Sequence, residues 1–557
     1  MRKDRVQNHH TETDRVNLTL DRRSFLKLVG ATGSLMAAGD LLTGWEKVGE
    51  AAGKKVTLTV AFPADIASLL PDVWAGMTEH VIKRTIYDCL LHYQTKEVSG
   101  KLYYDNDHYD MLIASDLKVS EDRKTLTWTI REGWTFSNGK KIDAYACEKC
   151  FRWYFKRDSI GAAQMKVDGI TRLEDVYAVD AKTLVHQLTY PAPWGAIANY
   201  IQLLSIVDVD EIMKHATESD PYGVKWLERE TVCSGPYKIE KWITGDQFVV
   251  TAREDYYKGK PKIDRIIFKI IPDPSTRYMM AQRGELDMPA NLDMKDLEIL
   301  KKDPNFLVEG YETLDWWYLG MNWKTPPFED LNVRKAIAHA IPYDEIINTV
   351  WYNFATRLKS CYPIPVPGYD PTLWPYEYDL DKAKGYLSQS SRPKGFEVEM
   401  AVDNDNINEE RTAILIQDAL KKIGIKVSIQ KMTAAKKWES LIARKIDFAV
   451  AAFMPWIADG GYHTHWNLLE DSFANFFNYK NPEADKIAKE FIYMDPKDPR
   501  RIELMKKHQT LLINDVHAVY LFAPQWIYPH RKNLKGFVYF PDSMPRFSLM
   551  EKTNDLG

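Results

Sequence analysis

The residue types most suited to chemistry lie together in the segment Pro455–Trp466, which reads PWIADGGYHTHW. It contains one carboxylate, Asp459, and two histidines, His463 and His465. Such groups serve as metal ligands or as acid and base catalysts, and they also form the walls of ligand pockets. If the segment is a strand, His463 and His465 face one side and can share a metal, although two histidines alone are an incomplete site. The simpler alternative is that Asp459 caps the turn at Gly460-Gly461.

Length and composition describe a large globular protein. The 557 residues exceed what one ordinary hydrophobic core holds, so we expect two or three lobes. Hydrophobic residues make up 45% and charged residues 27%, as in soluble proteins. The net charge of −4 and the isoelectric point near 6.4 leave no basic field, which disfavours a nucleic-acid partner. The 17 tryptophans and 30 tyrosines fit a large cleft, because aromatic side chains often line pockets.

Two of the five cysteines, Cys147 and Cys150, form the motif C-E-K-C in a stretch with a helical pattern. A zinc site would require a second pair at similar spacing, and Cys89, Cys233 and Cys361 are isolated. A redox motif would follow a strand in a thioredoxin-like unit. We therefore expect incidental helix residues or a local disulfide, with at least one thiol free or paired elsewhere.

The N-terminus has the features of an export signal. Arg22, Arg23, Phe25 and Leu26 lie in R-R-S-F-L-K, which resembles the bacterial twin-arginine signal R-R-x-F-L-K. The apolar run that follows is too short and too mild to span a bilayer. We therefore expect export by the twin-arginine translocase, with residues 1–53 as signal and leader outside the fold. Since no later segment reaches about 18 consecutive apolar residues, we expect a soluble mature protein.

Hydrophobic periodicity predicts a mixed α/β chain with hairpins in one region and β-α-β units in another. Asp143 is a good N-cap for a helix over CEKCFRWYF. The other elements that matter below are a helix over residues 78–93, a hairpin turning at 120–124, three strands within 237–271, a β-α-β unit over 396–432 and a strand-like segment at 536–540.

Several blocks of sequence resemble one protein family. They include LKVSEDRKTLTWTIREGWTFSNG, then SGPYKIEKWITGDQFVVTAREDYYKGKP and YLGMNWKTPPFEDLNVRKAIA. These blocks resemble the bacterial extracellular solute-binding proteins of family 5, the peptide/nickel class, which are the capture subunits of ABC importers. The resemblance runs in order from about Val56 to Asn533. Each motif is weak alone, but the ordered set is highly specific.

The resemblance implies a fold and a division into domains. The family fold is a two-lobed α/β structure of the periplasmic-binding-protein type II kind, with an inserted small domain and a ligand cleft between the lobes. By that pattern, the first lobe comprises residues 54–80, 189–312 and 519–557. The inserted domain is 81–188, and the second lobe is 313–518.

The resemblance also gives Asp459 a specific role. In peptide-binding members this position reads W-x-x-D, and the acid holds the α-amino group of the ligand. Asp459 and Trp456 match that pattern, so we expect Asp459 to contact the ligand and Trp456 to form a platform, with Tyr462 beside them. A buried carboxylate binds an ammonium group strongly when both are well hydrogen-bonded. The chain then departs from the family, because GGYHTHW replaces a short polar run containing proline.

Further ligand contacts are expected at the strand DWWYLGMNW, where the chain crosses between lobes. Trp317 and Tyr318 are candidates, and because adjacent side chains on a strand face opposite ways, only one of Trp316 and Trp317 is expected to line the cleft. Arg357 is a candidate for a ligand carboxylate, since its guanidinium makes two parallel hydrogen bonds, although a solvated arginine is the simpler interpretation.

These observations favour a binding protein over an enzyme. The sequence carries no G-x-S-x-G, H-E-x-x-H, P-loop or G-x-G-x-x-G motif. We expect a periplasmic, monomeric receptor without a cofactor that captures short peptides by hinge closure and delivers them to an ABC permease. The alternatives are an oligosaccharide receptor of the same fold, a metal or nickel-type chelate receptor using His463 and His465, and an exported enzyme that has reused the fold.

Overall fold

The structure is a computed structural model, and it describes residues 55–73, 77–98, 100–157, 159–191, 202–404 and 406–553. Residues Lys55–Gly557 form one compact unit. The predicted export motif of Arg22, Arg23, Phe25 and Leu26 lies outside the described residues. None of the described helices is both long and apolar enough to cross a membrane.

The first-lobe sheet brings together parts of the chain that are far apart in sequence. Its five strands lie in the order Met288–Pro289, Thr57–Phe62, Arg265–Ile270, Gln247–Ala252 and Tyr237–Ile243. Thr57–Phe62 is parallel to both of its neighbours, and the last three strands form an antiparallel meander. The three strands predicted within residues 237–271 are therefore confirmed.

The insert sheet is antiparallel and carries the predicted hairpin. Its four strands lie in the order Ala114–Val119, Thr125–Ile130, Thr183–Gln187 and Val176–Ala178. The helix Ala144–Lys156 packs on this sheet, and its N-cap Asp143 accepts a hydrogen bond from the backbone N–H of Ala146, as predicted. The helix Ile160–Val167 follows.

The second-lobe sheet has six strands in the order Ala355–Arg357, Val519–Pro524, Trp316–Met321, Phe448–Phe453, Glu397–Asp403 and Lys426–Met432. Glu397–Asp403 runs parallel to Lys426–Met432, and the helix Ile407–Lys421 connects them. This confirms the predicted β-α-β unit.

In the proposed division into domains, two segments that pair with each other connect the lobes. Trp316–Met321 and Val519–Pro524 pair antiparallel within the second-lobe sheet. Just outside this sheet, Gly310–Tyr311 pairs with Trp526–Ile527. The domain boundaries remain our proposal, and this pairing leads us to place the last one after Pro524 instead of before Val519.

Two local predictions are wrong. The helix predicted over residues 78–93 ends at Ile86, and Leu91–Val98 instead forms a hairpin with Lys101–Met111, because cross-strand pairing outweighs the helical pattern. Among the described residues, the segment 536–540 forms a single β-bridge, between Tyr103 and Tyr539. Gly536 has a φ of +78°, and a Cβ there would overlap the carbonyl of Leu549, so a regular strand does not fit.

The remaining elements complete the two lobes and the insert. The other helices are Met77–Ile86, Val209–Met213, Val224–Leu227, Pro274–Gln282, Met294–Leu300, Leu331–Ala340, Tyr343–Glu345, Leu380–Ser388, Ala434–Ile442, Gly460–Asn467, Pro482–Phe491 and Pro499–Asn514. Single-turn or irregular helices are Leu173–Asp175, Gln202–Leu204, Ile346–Val350, Pro371–Leu373 and Phe547–Leu549, and the short strand pairs are Phe306–Leu307 with His530–Arg531 and Leu534–Lys535 with Glu551–Lys552.

All five cysteines are buried. Cys147 and Cys150 lie in the helix Ala144–Lys156 as incidental helix residues and not as a local disulfide. Burial raises the pKa of Cys150 to about 12 and that of Cys233 to about 11, so these thiols stay protonated and unreactive.

Candidate functional site

Asp459 is the N-cap of a helix. The carboxylate accepts a hydrogen bond of 2.9 Å from the backbone N–H of Tyr462, and the helix runs from Gly460 to Asn467. The strand Phe448–Phe453 leads into this corner. The simpler alternative is therefore correct, because Asp459 caps the helix that begins at the two glycines.

The expectation that His463 and His465 face one side is wrong, because they lie on a helix. Two residues along an α-helix differ in direction by roughly 200°, so the two rings point away from each other. His463 Nε2 lies 2.8 Å from the carbonyl of Cys361, and burial lowers the pKa of His463 to about 4. Among the described residues, no three His, Cys, Asp or Glu side chains are grouped to hold a metal ion. The geometry does not support a metal site here.

A second residue that the sequence did not reveal, Arg501, binds Asp459. Its Nη1 and Nη2 lie 2.8 and 2.7 Å from the two carboxylate oxygens of Asp459. The side chains are 3% and 12% exposed, respectively. Arg501 belongs to the helix Pro499–Asn514, more than forty positions away, and no local motif announces it. Asp459 is thus held in place by a bidentate ion pair with little access to water.

Trp456 and Tyr462 contact residues on the opposite side of the lobe interface. The ring of Trp456 meets His80 edge-on, with ring centroids 5.8 Å apart. The hydroxyl of Tyr462 donates a hydrogen bond of 3.2 Å to Oε1 of Gln164. His80 lies on the helix Met77–Ile86, and Gln164 lies on Ile160–Val167 of the insert. In the proposed division into domains, the segment around Asp459 therefore forms part of the interface between the second lobe and the rest of the molecule.

The contact at Gln164 continues to a buried carboxyl group. Nε2 of Gln164 lies 2.8 and 2.9 Å from the two oxygens of Asp168. Burial raises the pKa of Asp168 well above its ordinary value, which favours its protonated form. Tyr462, Gln164 and Asp168 thus form a short chain of hydrogen-bonded polar groups.

The strand Trp316–Met321 divides its aromatic side chains between two faces, as predicted. Trp317 is half-buried and stacks on Phe522 with a centroid separation of 5.5 Å. Trp316 and Tyr318 point the other way, and their rings are 4.2 Å apart in the core of the second lobe. Tyr318 also packs edge-on against Phe477. Since Tyr318 lies in this internal cluster, we leave it out of the proposed ligand contacts.

Arg357 donates hydrogen bonds to backbone carbonyl groups of its own segment and of the neighbouring strand, so it is not a solvated surface arginine. Its Nη1 lies 2.7 Å from the carbonyl oxygens of both Leu358 and Tyr520 and 3.0 Å from that of Leu521. The guanidinium carbon lies 3.2 Å from the centre of the Tyr343 ring. Burial lowers the pKa of Arg357, although the group stays charged in neutral solution.

A separate cavity of about 530 Å³ lies beside the helix Met77–Ile86. Its walls include Arg84 and Arg546, and both pair with the buried carboxylate of Asp542. None of the six residues predicted to contact a ligand lines this cavity. Because its buried arginines share an internal counter-ion, we do not assign a ligand to it.

Comparison with known proteins agrees with this architecture. Residues 109–475 match the family model described as bacterial extracellular solute-binding proteins, family 5 Middle. The chain is 27% identical over 500 residues to the probable D,D-dipeptide-binding periplasmic protein DdpA of Escherichia coli K12, covering 89% of this chain and 93% of that protein. It is 26% identical over 462 residues to the dipeptide-binding protein of the same organism, covering 77% and 83% of the two chains.

Solved structures show the same fold. The periplasmic binding protein DppA of Helicobacter pylori, in complex with the peptide STSA, superposes with a TM-score of 0.77 at 24% identity. The match covers 89% of this chain and 98% of that one. The two-lobed α/β architecture expected from the sequence is therefore confirmed. Because the family model spans well over half of its residues, this chain belongs to family 5 of the bacterial extracellular solute-binding proteins.

Proposed function

We propose that this protein is the periplasmic substrate-binding component of an ABC importer and that it captures short peptides between its lobes. The observation that carries the proposal is the position of the segment Trp456–Tyr462, which contacts His80 of one helix and Gln164 of another across the lobe interface. Contacts of this kind form when the lobes close and are lost when they open. The dipeptide-binding relatives favour peptides as the enclosed ligand.

Asp459 can bind the ammonium group of a peptide while it remains paired with Arg501. A carboxylate offers about four acceptor positions, and Arg501 and the Tyr462 N–H occupy three of them. Arg501 fixes the orientation of the carboxylate. The fourth position is then directed at the ligand, with the ring of Trp456 beside it.

The other proposed contacts lie on the second-lobe sheet. Trp317 is half-buried and offers an apolar surface for a peptide side chain. The guanidinium of Arg357 carries three N–H groups on Nε and Nη2 besides those that Nη1 donates to carbonyls. We propose that these groups take the ligand carboxylate. Main-chain hydrogen bonds and hydrated side-chain pockets would then permit broad specificity.

The proposal includes the route and the partners of the receptor. The residues Arg22, Arg23, Phe25 and Leu26 support export by the twin-arginine translocase. The relative DdpA is named a periplasmic protein, which supports the same destination. In the periplasm the closed, loaded monomer would present its two lobes to the membrane permease. No catalytic step is assigned to the protein.

The ligand class is tested by native mass spectrometry of the mature protein purified from its own periplasm, with gentle release of what it holds. We expect a mixture of short peptides. Recovery of an oligosaccharide or of a metal chelate instead would contradict the peptide assignment and leave the receptor assignment in place.

The role of Asp459 is tested by titrating the eluted peptides against Asp459→Asn in a calorimeter. Asparagine keeps the helix N-cap but removes the charge, so we expect at least a tenfold loss of affinity with the fold intact. The matched control is Asp498→Asn, another helix N-cap aspartate paired with an arginine, which we expect to bind as the wild type does. Equal affinities for both variants would contradict the proposed role.

A further inference from the structure

Asp315 lies at the point where the chain enters the second-lobe sheet. It immediately precedes the strand Trp316–Met321. Its backbone N–H donates to Oγ1 of Thr313, and that hydroxyl in turn donates to the carbonyl of Pro524. The two segments that connect the lobes are thus joined by hydrogen bonds beside Asp315. A ligand enclosed by closure about these segments would lie close to this side chain.

The carboxylate of Asp315 has no counter-ion among the described residues, unlike the carboxylates of Asp459 and Asp542. Asp459 pairs with Arg501, and Asp542 pairs with Arg84 and Arg546. In the part of the chain that the structure describes, the Asp315 carboxylate makes no hydrogen bond or ion pair. Burial raises its pKa to about 7, and no described cation offsets that effect. An unpaired buried carboxylate is costly, and such groups concentrate at functional sites.

Asp315 is nevertheless not sealed within a core. Its side chain is only half-buried, although the surrounding protein strongly disfavours its charged form. A group on the outer surface would be well solvated and would keep its ordinary pKa. A ligand can therefore reach this side chain, while the protein around it does not stabilise its charge.

A row of four tyrosines connects the surroundings of Asp315 with those of Asp459. Burial, and next the charge of Asp459, raise the pKa of Tyr109. Burial, then Tyr104 and the charge of Asp315, raise the pKa of Tyr539. Each of these two tyrosines therefore interacts electrostatically with one of the two carboxylates. The ring centroids are separated by 6.1, 5.4 and 6.0 Å in the order Tyr109, Tyr93, Tyr104, Tyr539.

This combination selects for positive charge. Aromatic faces attract cations, and a carboxylate beside aromatic rings is a suitable partner for an ammonium or guanidinium group. An anionic group near Asp315 would be repelled, and a neutral one would leave the carboxylate unpaired. Tyr104 and Tyr109 are half-buried, so the row is not closed off from a ligand.

We propose that Asp315 forms a second cation subsite of the ligand cleft, which selects peptides carrying a lysine or arginine side chain in addition to their α-amino group. The inference rests on the proposed function, in which Asp459 holds the α-amino group. A cationic peptide would lie along the tyrosine row with one positive group at each carboxylate.

The test is calorimetric titration at pH 8 with the tripeptides Ala-Ala-Lys and Ala-Ala-norleucine, which differ in side-chain charge. We expect the wild type to bind the lysine peptide at least tenfold more tightly. Asp315→Asn should reduce that preference to less than about twofold by weakening the lysine peptide alone. Glu312→Gln, at an exposed acid three residues earlier, is the matched control and should keep the wild-type preference.

The outcomes separate this inference from the proposed function. Equal binding of both peptides by the wild type, or a preference that survives Asp315→Asn, would overturn the cation subsite and leave peptide capture standing. If no peptide binds, the proposed function fails, and lysine methyl ester against norleucine methyl ester tests Asp315 by itself. A preference for the lysine ester that Asp315→Asn removes would support the subsite. The absence of such a preference would refute it.

Discussion

Replacing Arg501 with methionine is expected to destabilise the lobe that contains Asp459. The change removes two hydrogen bonds of 2.8 and 2.7 Å and strands the carboxylate in a site where it is 12% exposed. Removing one member of a buried ion pair costs about 3–5 kcal/mol. Because Asp459 keeps the N–H of Tyr462 as a donor, we expect a loss near the lower end, about 3 kcal/mol in the free energy of unfolding.

The assay is urea unfolding followed by tryptophan fluorescence for the wild type, Arg501→Met, Asp459→Asn and the double variant. Removing both charges leaves no stranded ion, so the double variant should lose much less stability than the sum of the single variants. Arg500→Met is the control on the same helix, and since the Arg500 side chain is 76% exposed we expect no measurable change. If the two single effects simply add, Asp459 and Arg501 are not coupled and the reasoning fails.

Three further predictions address pH, packing and thiol chemistry. His186 is buried between Trp128 and Phe151, and burial lowers its pKa to about 3. As pH falls below 6.5, His186 therefore binds a proton in the unfolded chain but not in the folded protein, and the folded protein loses stability. In His186→Phe, unfolding free energy measured in urea from pH 6.5 to 4 should therefore fall less steeply than in the wild type, by up to about 1.4 kcal/mol per pH unit, and an unchanged slope would contradict this. A Cβ at Gly320 would overlap the Phe477 ring, whereas one at Gly385 in the helix Leu380–Ser388 meets nothing within 4 Å. Melting curves should accordingly show Gly320→Ala destabilised by about 1–3 kcal/mol and Gly385→Ala stabilised by up to about 1 kcal/mol, and a reversed order would refute the packing argument. The five buried thiols should not react with Ellman's reagent in the native protein and should all react after unfolding, so rapid native labelling would contradict their burial.

Local signals predicted much of the fold. Asp143 sits at a helix start that its side chain caps, and the strands Glu397–Asp403 and Lys426–Met432 flank a helix in the predicted order. These elements depend on neighbouring residues, on capping and on hydrophobic period, all of which are visible in a short window of sequence. The helix predicted over residues 78–93 failed for the complementary reason. Pairing of Leu91–Val98 with Lys101–Met111 is a tertiary preference that no helical pattern reveals.

Less of the candidate site than of the fold could be predicted from the sequence. Asp459 was found through its motif, but its ion pair depends on Arg501, which a different helix supplies. No local signal in the sequence marks Asp315, because an acid before a strand is ordinary. Its interest arises only from the missing counter-ion and from the tyrosines around it. Likewise, the two glycines after Asp459 gave no sign of the helix Gly460–Asn467. Because of this helix, His463 and His465 point away from each other and not to the same side.

The strand Thr57–Phe62 is synthesised long before Arg265–Ile270, the strand with which it pairs in parallel. The partner strand leaves the ribosome about two hundred residues later, and at roughly 5–20 residues per second that interval is on the order of ten to forty seconds. Throughout it, the first strand has neither of its neighbours, since Met288–Pro289 is made later still. An apolar strand with open edges is prone to pair with other chains. The strand Thr57–Phe62 is therefore exposed to wrong pairing until the first-lobe sheet forms, and a nascent-chain binding factor would act on residues 57–62.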